Sequence, residues 1–235
     1  MYYYGYYFDW TYILVLIGAM ISGIASINVH TTYNKYAKVL NRRGLTAQDV
    51  AQRILESSGI YDVGIERVSG SLSDHYAPKE KVLRLSDSVY GSSSVAAIGV
   101  AAHECGHAVQ HKTGYAMLNL RTAAVPIAKF GSYLSWPVIL LGLLFGWTGM
   151  LRVGIFLFMF VVIFQLITLP VEFDASRRAL AILKNDHILE GQEFEGAKKV
   201  LFAAAMTYVA ALFTSILQLA RLILLARGSS GRRRN

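Results

Sequence analysis

Two histidines and a glutamate that could act together on one metal ion lie within five residues, at His103, Glu104 and His107. In a helix, positions i and i+4 fall one turn apart on one face, so both imidazoles can reach one metal ion. Glu104 is offset from both and can accept a proton from a metal-activated water. The spacing predicts one Zn²⁺ per chain and hydrolysis of peptide bonds with Glu104 as general base.

A third protein ligand must come from elsewhere, because catalytic zinc usually has three ligands and one open position. Glu172 is the preferred ligand, since a carboxylate at the edge of an apolar run needs a partner. His111 competes with it, at i+4 from His107. If His111 joined the other three ligands, the ion would be structural and the chain a catalytically idle membrane scaffold.

Three further side chains are candidates for supporting roles. Asp174 either accepts an N–H from a ligand histidine or is ordinary helix N-terminal charge. His75 is a candidate for orienting substrate. Cys105 could be a nucleophile beside a histidine, but its place inside the motif favours a small buried hydrophobe.

The motif requires a helix, and its surroundings predict one. Ser92 to Ser94 offer N-cap chemistry for a helix that begins near Val95. An amphipathic helix from Leu45 to about Glu56 is expected upstream, with Thr46 as N-cap and Gly59 as the stop. Residues 60–90 predict two or three short strands in a hairpin-like sheet. One of them, formed by Val82, Leu83, Arg84 and Leu85, is expected to be an edge strand that pairs with substrate.

Composition and apolar runs predict a membrane protein. Apolar residues make up 54% of the 235 residues and charged residues only 16%. Candidate transmembrane runs cover 11–29, 132–147, 150–169 and 205–226. The first is expected to be a retained anchor, Pro170 to close the third, and 228–235 to be a disordered tail. The fold class is therefore mainly α: one membrane-embedded domain over 1–235 with about four transmembrane helices.

Charge predicts the orientation of these runs. The net charge is +8, and the basic residues lie mostly beside apolar runs, which favours membrane lipids over nucleic acid as partners. Twelve Lys and Arg lie between the first and second runs and five between the third and fourth. The positive-inside rule places 30–130 and 170–204, the catalytic segments, in the cytoplasm. The basic C-terminus leaves open whether the fourth run spans fully.

Three segments together resemble a known family. They are SLSDHYAPKEKVLRLSDSVYGSSSVAAIGVAAHECGHAVQH, LPVEFDASRRAL and VLFAAAMTYVAAL, and they resemble the YugP-type membrane zinc metallopeptidases of bacteria. The arrangement is also similar to HtpX-like membrane proteases, in which a glutamate after a transmembrane segment completes the zinc site.

The resemblance implies a multi-pass protease of the bacterial cell membrane with a small α+β zincin-like domain. It implies His103 and His107 as ligands, Glu104 as the catalytic glutamate, and Glu172 of the EFDAS motif as the third ligand. The expected substrates are peptides or proteins, membrane proteins among them. Oligomers and membrane-protein partners stay open.

Overall fold

The computed structural model describes residues 9–231, with the backbone alone for 228–231. The elements in chain order are α1 (Tyr12–Tyr36), α2 (Ala47–Ser57), β1 (Gly64–Val68), β2 (His75–Ala77), β3 (Val82–Ser86), α3 (Val95–Lys112), α4 (Ala116–Leu144), α5 (Thr148–Asn185) and α6 (Gly191–Gly231). The first four residues of the predicted disordered tail, 228–231, therefore continue α6 as helix, and 232–235 lie outside the described residues.

The chain divides into two compact units. Within the described range, unit one holds residues 9–24, 124–166 and 209–231, and unit two holds 25–123 and 167–208. The long helices α1, α4, α5 and α6 each contribute a part to both units. The motif segment and Glu172 both belong to unit two.

The core of unit two forms where α2 packs on α3. The apolar face of α2, which includes Val50 and Ile54, is fully buried beside the Ala-rich face of α3. Thr46 and Asp49 form a capping box at the start of α2, and the Ser94 hydroxyl accepts the N–H of Ala97 at the start of α3. These caps satisfy backbone donors that the helices leave unpaired, so both predicted helix starts are confirmed.

The sheet of unit two has the strand order β1-β3-β2. β3 pairs with β1 in parallel and with β2 in antiparallel orientation. The prediction that Val82 to Leu85 form an edge strand is therefore wrong, because both sides of β3 already carry backbone partners. Leu83 and Leu85 are fully buried, which explains why the most apolar segment is central. β2 is the edge strand next to α3.

Four helices are long and apolar enough to cross a membrane, namely Tyr12–Tyr36, Ala116–Leu144, Thr148–Asn185 and Gly191–Arg227. This confirms the predicted fold class. The second begins at Ala116 rather than near 132 and continues through Pro126 and Pro137.

Pro170 does not end the third run, because α5 continues through it to Asn185. A proline inside a helix removes one hydrogen bond, but membrane helices tolerate this where neighbouring helices pack around the site. Glu172 therefore lies within the apolar helix rather than at the start of a new one.

In unit one, α1 and α6 pack antiparallel. The hydroxyls of Ser22 and Thr214 lie 2.9 Å apart. Near the other end of the contact, the Arg221 guanidinium lies 4.2 Å from the Tyr12 ring centroid and 3.5 Å from a carboxylate oxygen of Asp9. The start of α1 and the end of α6 therefore lie together.

In unit two, α3 and α5 approach closely at Gly106. A Cβ added there would lie 2.4 Å from the backbone oxygen of Ala175. Only a glycine allows the motif helix to lie this near to the segment that carries Glu172.

Gly106→Ala should destabilise the protein by roughly 1–3 kcal/mol, because backbone atoms cannot yield as a flexible side chain can. Gly99→Ala in the same helix is the matched control, since its new Cβ would meet only ordinary contacts, 3.6 Å and more away. Thermal unfolding of both variants in detergent measures the difference. Equal stability of the two would show that the helices separate without cost.

Candidate metal centre

The two motif histidines project from one face of α3. Their ring centroids lie 4.8 Å apart with an interplanar angle of 83°. Both side chains are largely buried, with exposures of 15% for His103 and 12% for His107. The spacing thus gives the geometry that the sequence predicted, with two imidazoles available to one ion.

Glu172 of α5 faces both imidazoles. Its Oε2 atom lies 3.3 Å from Nε2 of His103 and 3.6 Å from Nε2 of His107. The residue is only 2% exposed. Among the described residues, His103, His107 and Glu172 are the group of possible metal ligands that converges, with ligand atoms within 4.8 Å of one another.

The spacing of these three atoms fits zinc. Ligand bonds of about 2.0–2.1 Å in a tetrahedron place neighbouring ligand atoms roughly 3.3–3.4 Å apart. The two measured histidine–carboxylate separations, 3.3 and 3.6 Å, lie close to that value. Two imidazole nitrogens and one carboxylate oxygen are also a donor set that catalytic zinc uses, with the fourth position left open.

The other ring nitrogen of His107 is held by Gln110, whose side chain is fully buried. Gln110 Nε2 donates to the backbone oxygen of Val171 at 2.8 Å and to Asp174 Oδ2 at 2.9 Å. Because Nε2 of the amide has two acceptors, the amide orientation is fixed. Gln110 Oε1 therefore faces His107 Nδ1 at 3.0 Å and accepts a hydrogen bond from its N–H. In the neutral imidazole this contact keeps the proton on Nδ1 and directs the lone pair of Nε2 at the ion site.

The sequence suggested that Asp174 could contact a ligand histidine directly. In the structure it contacts Gln110, which in turn contacts His107. It accepts from Gln110 and from the guanidinium groups of Arg177 and Arg178, not from a ligand histidine. A two-residue step turns a helical side chain by about 200°, so Asp174 cannot share the face of Glu172. Its role is to fix the amide that orients His107.

Ser176 plays the corresponding part for His103. Its hydroxyl lies 3.0 Å from His103 Nδ1 and can accept a hydrogen bond from the N–H at that position. The EFDAS segment therefore supplies the carboxylate of the site and supports both histidines. Sequence reasoning missed Ser176 and Gln110. The burial of Gln110, which requires a hydrogen-bond partner for its amide, is visible only in the structure.

The electrostatics of the site favour a cation. Burial acts to lower the pKa of His107, but hydrogen bonding to Glu172 and the charges of Glu104 and Glu172 outweigh it and raise the pKa above the ordinary 6.5. The same negative field would attract a metal ion. Burial, and then the charge of Glu104, raise the pKa of the Cys105 thiol far above its ordinary value. Cys105 is therefore a buried small side chain and not a nucleophile.

Glu104 points to the edge strand. Its Oε2 accepts the backbone N–H of Tyr76 in β2 at 3.0 Å, and the residue is 9% exposed. It does not belong to the converging group of possible ligands.

A cavity of about 230 Å³ opens beside these groups. It is lined by, among others, His75 of β2, Arg121 of α4 and Tyr208 of α6. A terminal nitrogen of Arg121 lies 3.5 Å from Glu172 Oε1, and Tyr208 lines the same cavity as Glu172. Sequence reasoning missed both residues; the signal for Arg121 was a charge in an apolar helix that has only one other charged residue, Lys129.

His111 does not join the site. Its Nδ1 lies 2.9 Å from the Tyr76 hydroxyl, and it lines a second cavity of about 310 Å³ on the other side of Tyr76. Within the described part of the chain, the group of converging ligands therefore has three members and not four.

Comparison with known proteins agrees with this geometry. A family model described as "Putative neutral zinc metallopeptidase" matches residues 11–227. The chain belongs to this family. This metallopeptidase is also 43% identical over 215 residues to the "Putative membrane protease YugP" of Bacillus subtilis, which covers 91% of this chain and 96% of that protein. No solved structure matches the chain. The resemblance inferred from the sequence is confirmed, as is a membrane zinc metallopeptidase as the class of protein.

Ser176→Ala should weaken zinc binding roughly 10–100-fold, because the Nδ1 proton of His103 loses its acceptor. Competition with a chromogenic chelator on the purified protein measures the affinity. Ser57→Ala is the control, since that hydroxyl bonds only to the Ile54 carbonyl of its own helix. Full affinity in Ser176→Ala would mean that α3 alone orients His103.

Proposed function

We propose that this protein is a zinc-dependent membrane endopeptidase with Glu104 as general base and one zinc ion held by His103, His107 and Glu172. The observation that carries the proposal is the convergence of these three ligands beside a cavity that Glu104 also lines. When bound, zinc supplies Lewis acidity and makes a water nucleophilic near neutral pH. The alternative, a structural zinc with His111 as fourth ligand, is disfavoured by the contact of His111 with Tyr76.

The chain's own residues divide the remaining work. Glu104 takes the proton of the attacking water and returns it to the departing amine. Arg121 and Tyr208 present N–H and O–H donors in the same cavity, where they stabilise the carbonyl oxygen as it gains negative charge. The guanidinium of Arg121 already faces Glu172, which holds the donor in place before substrate arrives.

Space on two sides of Tyr76 supports cleavage within a chain rather than at its end. The cavity with Glu104 lies on one side and the cavity with His111 on the other. An extended peptide can therefore continue past β2 in both directions. The distribution of Lys and Arg along the chain supports a site on the cytoplasmic side.

Glu104→Gln should abolish cleavage of a peptide blocked at both termini, with a loss of at least about 10²-fold, while zinc content stays at one per chain. Cleavage of the blocked peptide reports on endopeptidase activity, and metal analysis reports on the ligands. Glu56→Gln, an exposed position of α2, is the matched control and should behave as wild type.

Two results would contradict the proposal. Wild-type activity in Glu104→Gln would rule out Glu104 as the base. Cleavage of externally added peptide by right-side-out vesicles, but not by sealed inside-out vesicles, would place the site on the opposite face of the membrane.

Tyr208→Phe should lower kcat by about 10²–10³ with little change in KM, because a donor to the developing oxyanion is lost while binding of the substrate is kept. Steady-state kinetics on the blocked peptide separates the two constants. Tyr133→Phe is the control, since that tyrosine is 82% exposed. An unchanged kcat would assign Tyr208 to packing alone.

A further inference from the structure

Another cavity of unit two, distinct from the two described above, lies between the C-terminal part of α1 and the N-terminal part of α6. Its volume is about 490 Å³, and none of the proposed catalytic groups lines it. The two helices meet beside it, because a Cβ on Gly196 would lie 2.7 Å from the Tyr36 ring. Close contact at this point fixes the wall that Tyr36 provides.

Part of the cavity lining is cationic. Lys35, Lys198 and Lys199 line it together with a single carboxylate, Glu195. Lys198 and Glu195 are 3.7 Å apart and both more than half exposed, so their pairing contributes little. Among the described residues neither Lys35 nor Lys199 has a carboxylate partner within ion-pairing distance. The lining therefore carries an excess of two positive charges.

The lining also includes the apolar side chains of Phe202 and Ala203 and the polar side chains of Thr32 and Asn28. In the sequence, the lysines stand where apolar runs meet polar segments. Lys35 follows the run 11–29, and Lys199 precedes the run 205–226. Phe202 is 60% exposed and belongs to a helix that is apolar enough to cross a membrane, so its ring is accessible to an acyl chain.

We propose that this cavity binds the headgroup phosphate of an anionic glycerophospholipid, with the acyl chains extending past Phe202. The lysines match the phosphate, Thr32 and Asn28 match the polar glycerol region, and Phe202 and Ala203 match the hydrocarbon. A basic pocket between membrane helices is a typical site for anionic headgroups. A free phosphate ion would use only the lysines. The proposal does not depend on the peptidase activity.

The test uses the full-length protein in neutral detergent, with short-chain phosphatidylglycerol titrated and bound lipid counted by native mass spectrometry. Lys35→Gln/Lys198→Gln/Lys199→Gln should weaken binding roughly 10–100-fold, since each lysine near the headgroup contributes several-fold. Lys38→Gln/Arg43→Gln/Arg53→Gln is the control. It removes the same charge from exposed positions outside the cavity and should bind as wild type.

Further arms identify the source of the phosphate. Inorganic phosphate and short-chain phosphatidylcholine should not displace the bound lipid at matched concentration. Displacement by inorganic phosphate would make the cavity a free-anion site, and equal loss in the control triple variant would reduce the effect to general surface attraction. Either result overturns the proposal.

A second variant guards against misfolding. Lys199→Glu changes one exposed helical position and should also weaken phosphatidylglycerol binding at unchanged zinc content. Wild-type lipid affinity in Lys199→Glu would likewise overturn the proposal.

Discussion

The structure of unit two depends on the burial of one carboxylate. Glu172 is 2% exposed, and an unpaired charge at such a position would be strongly unfavourable. Two imidazoles within 3.6 Å and a guanidinium at 3.5 Å compensate it. A divalent ion between the carboxylate and the imidazoles would compensate it further. The remaining contacts of the site keep these groups in position.

The position of these groups depends on the close approach of the α3 and α5 backbones. Gly106 lets α3 approach the backbone of Ala175 directly, and the segment from Glu172 to Ser176 then lies along the motif helix. One helical turn of α5 thereby supplies the proposed ligand Glu172, a contact to His103 through Ser176, and a contact to His107 through Asp174 and Gln110. Because α5 continues through Pro170 as one helix, the ligand is held by the same element that forms an apolar span.

Two separate chemistries share unit two. The candidate metal centre is built from carboxylates and imidazoles, which suit a cation, whereas the α1–α6 cavity is lined by three lysines, which suit the proposed anion. Different sequence features produce them. The first comes from a short motif of fixed spacing, and the second from charges at the ends of apolar runs, where two helices meet.

The sequence determined the parts of this protein that local spacing controls. The i and i+4 histidines, the caps at Thr46 and Ser94 and the four apolar runs follow from helical geometry and from the length of a span. Tertiary structure alone decided the contacts between distant segments. It placed β3 in the centre of its sheet, carried α5 through Pro170, and brought Arg121 and Tyr208 to Glu172. The reason is physical. Strand order and the tolerance of a proline inside a helix depend on the segments that pack against them, and a local sequence pattern does not specify which segments these are.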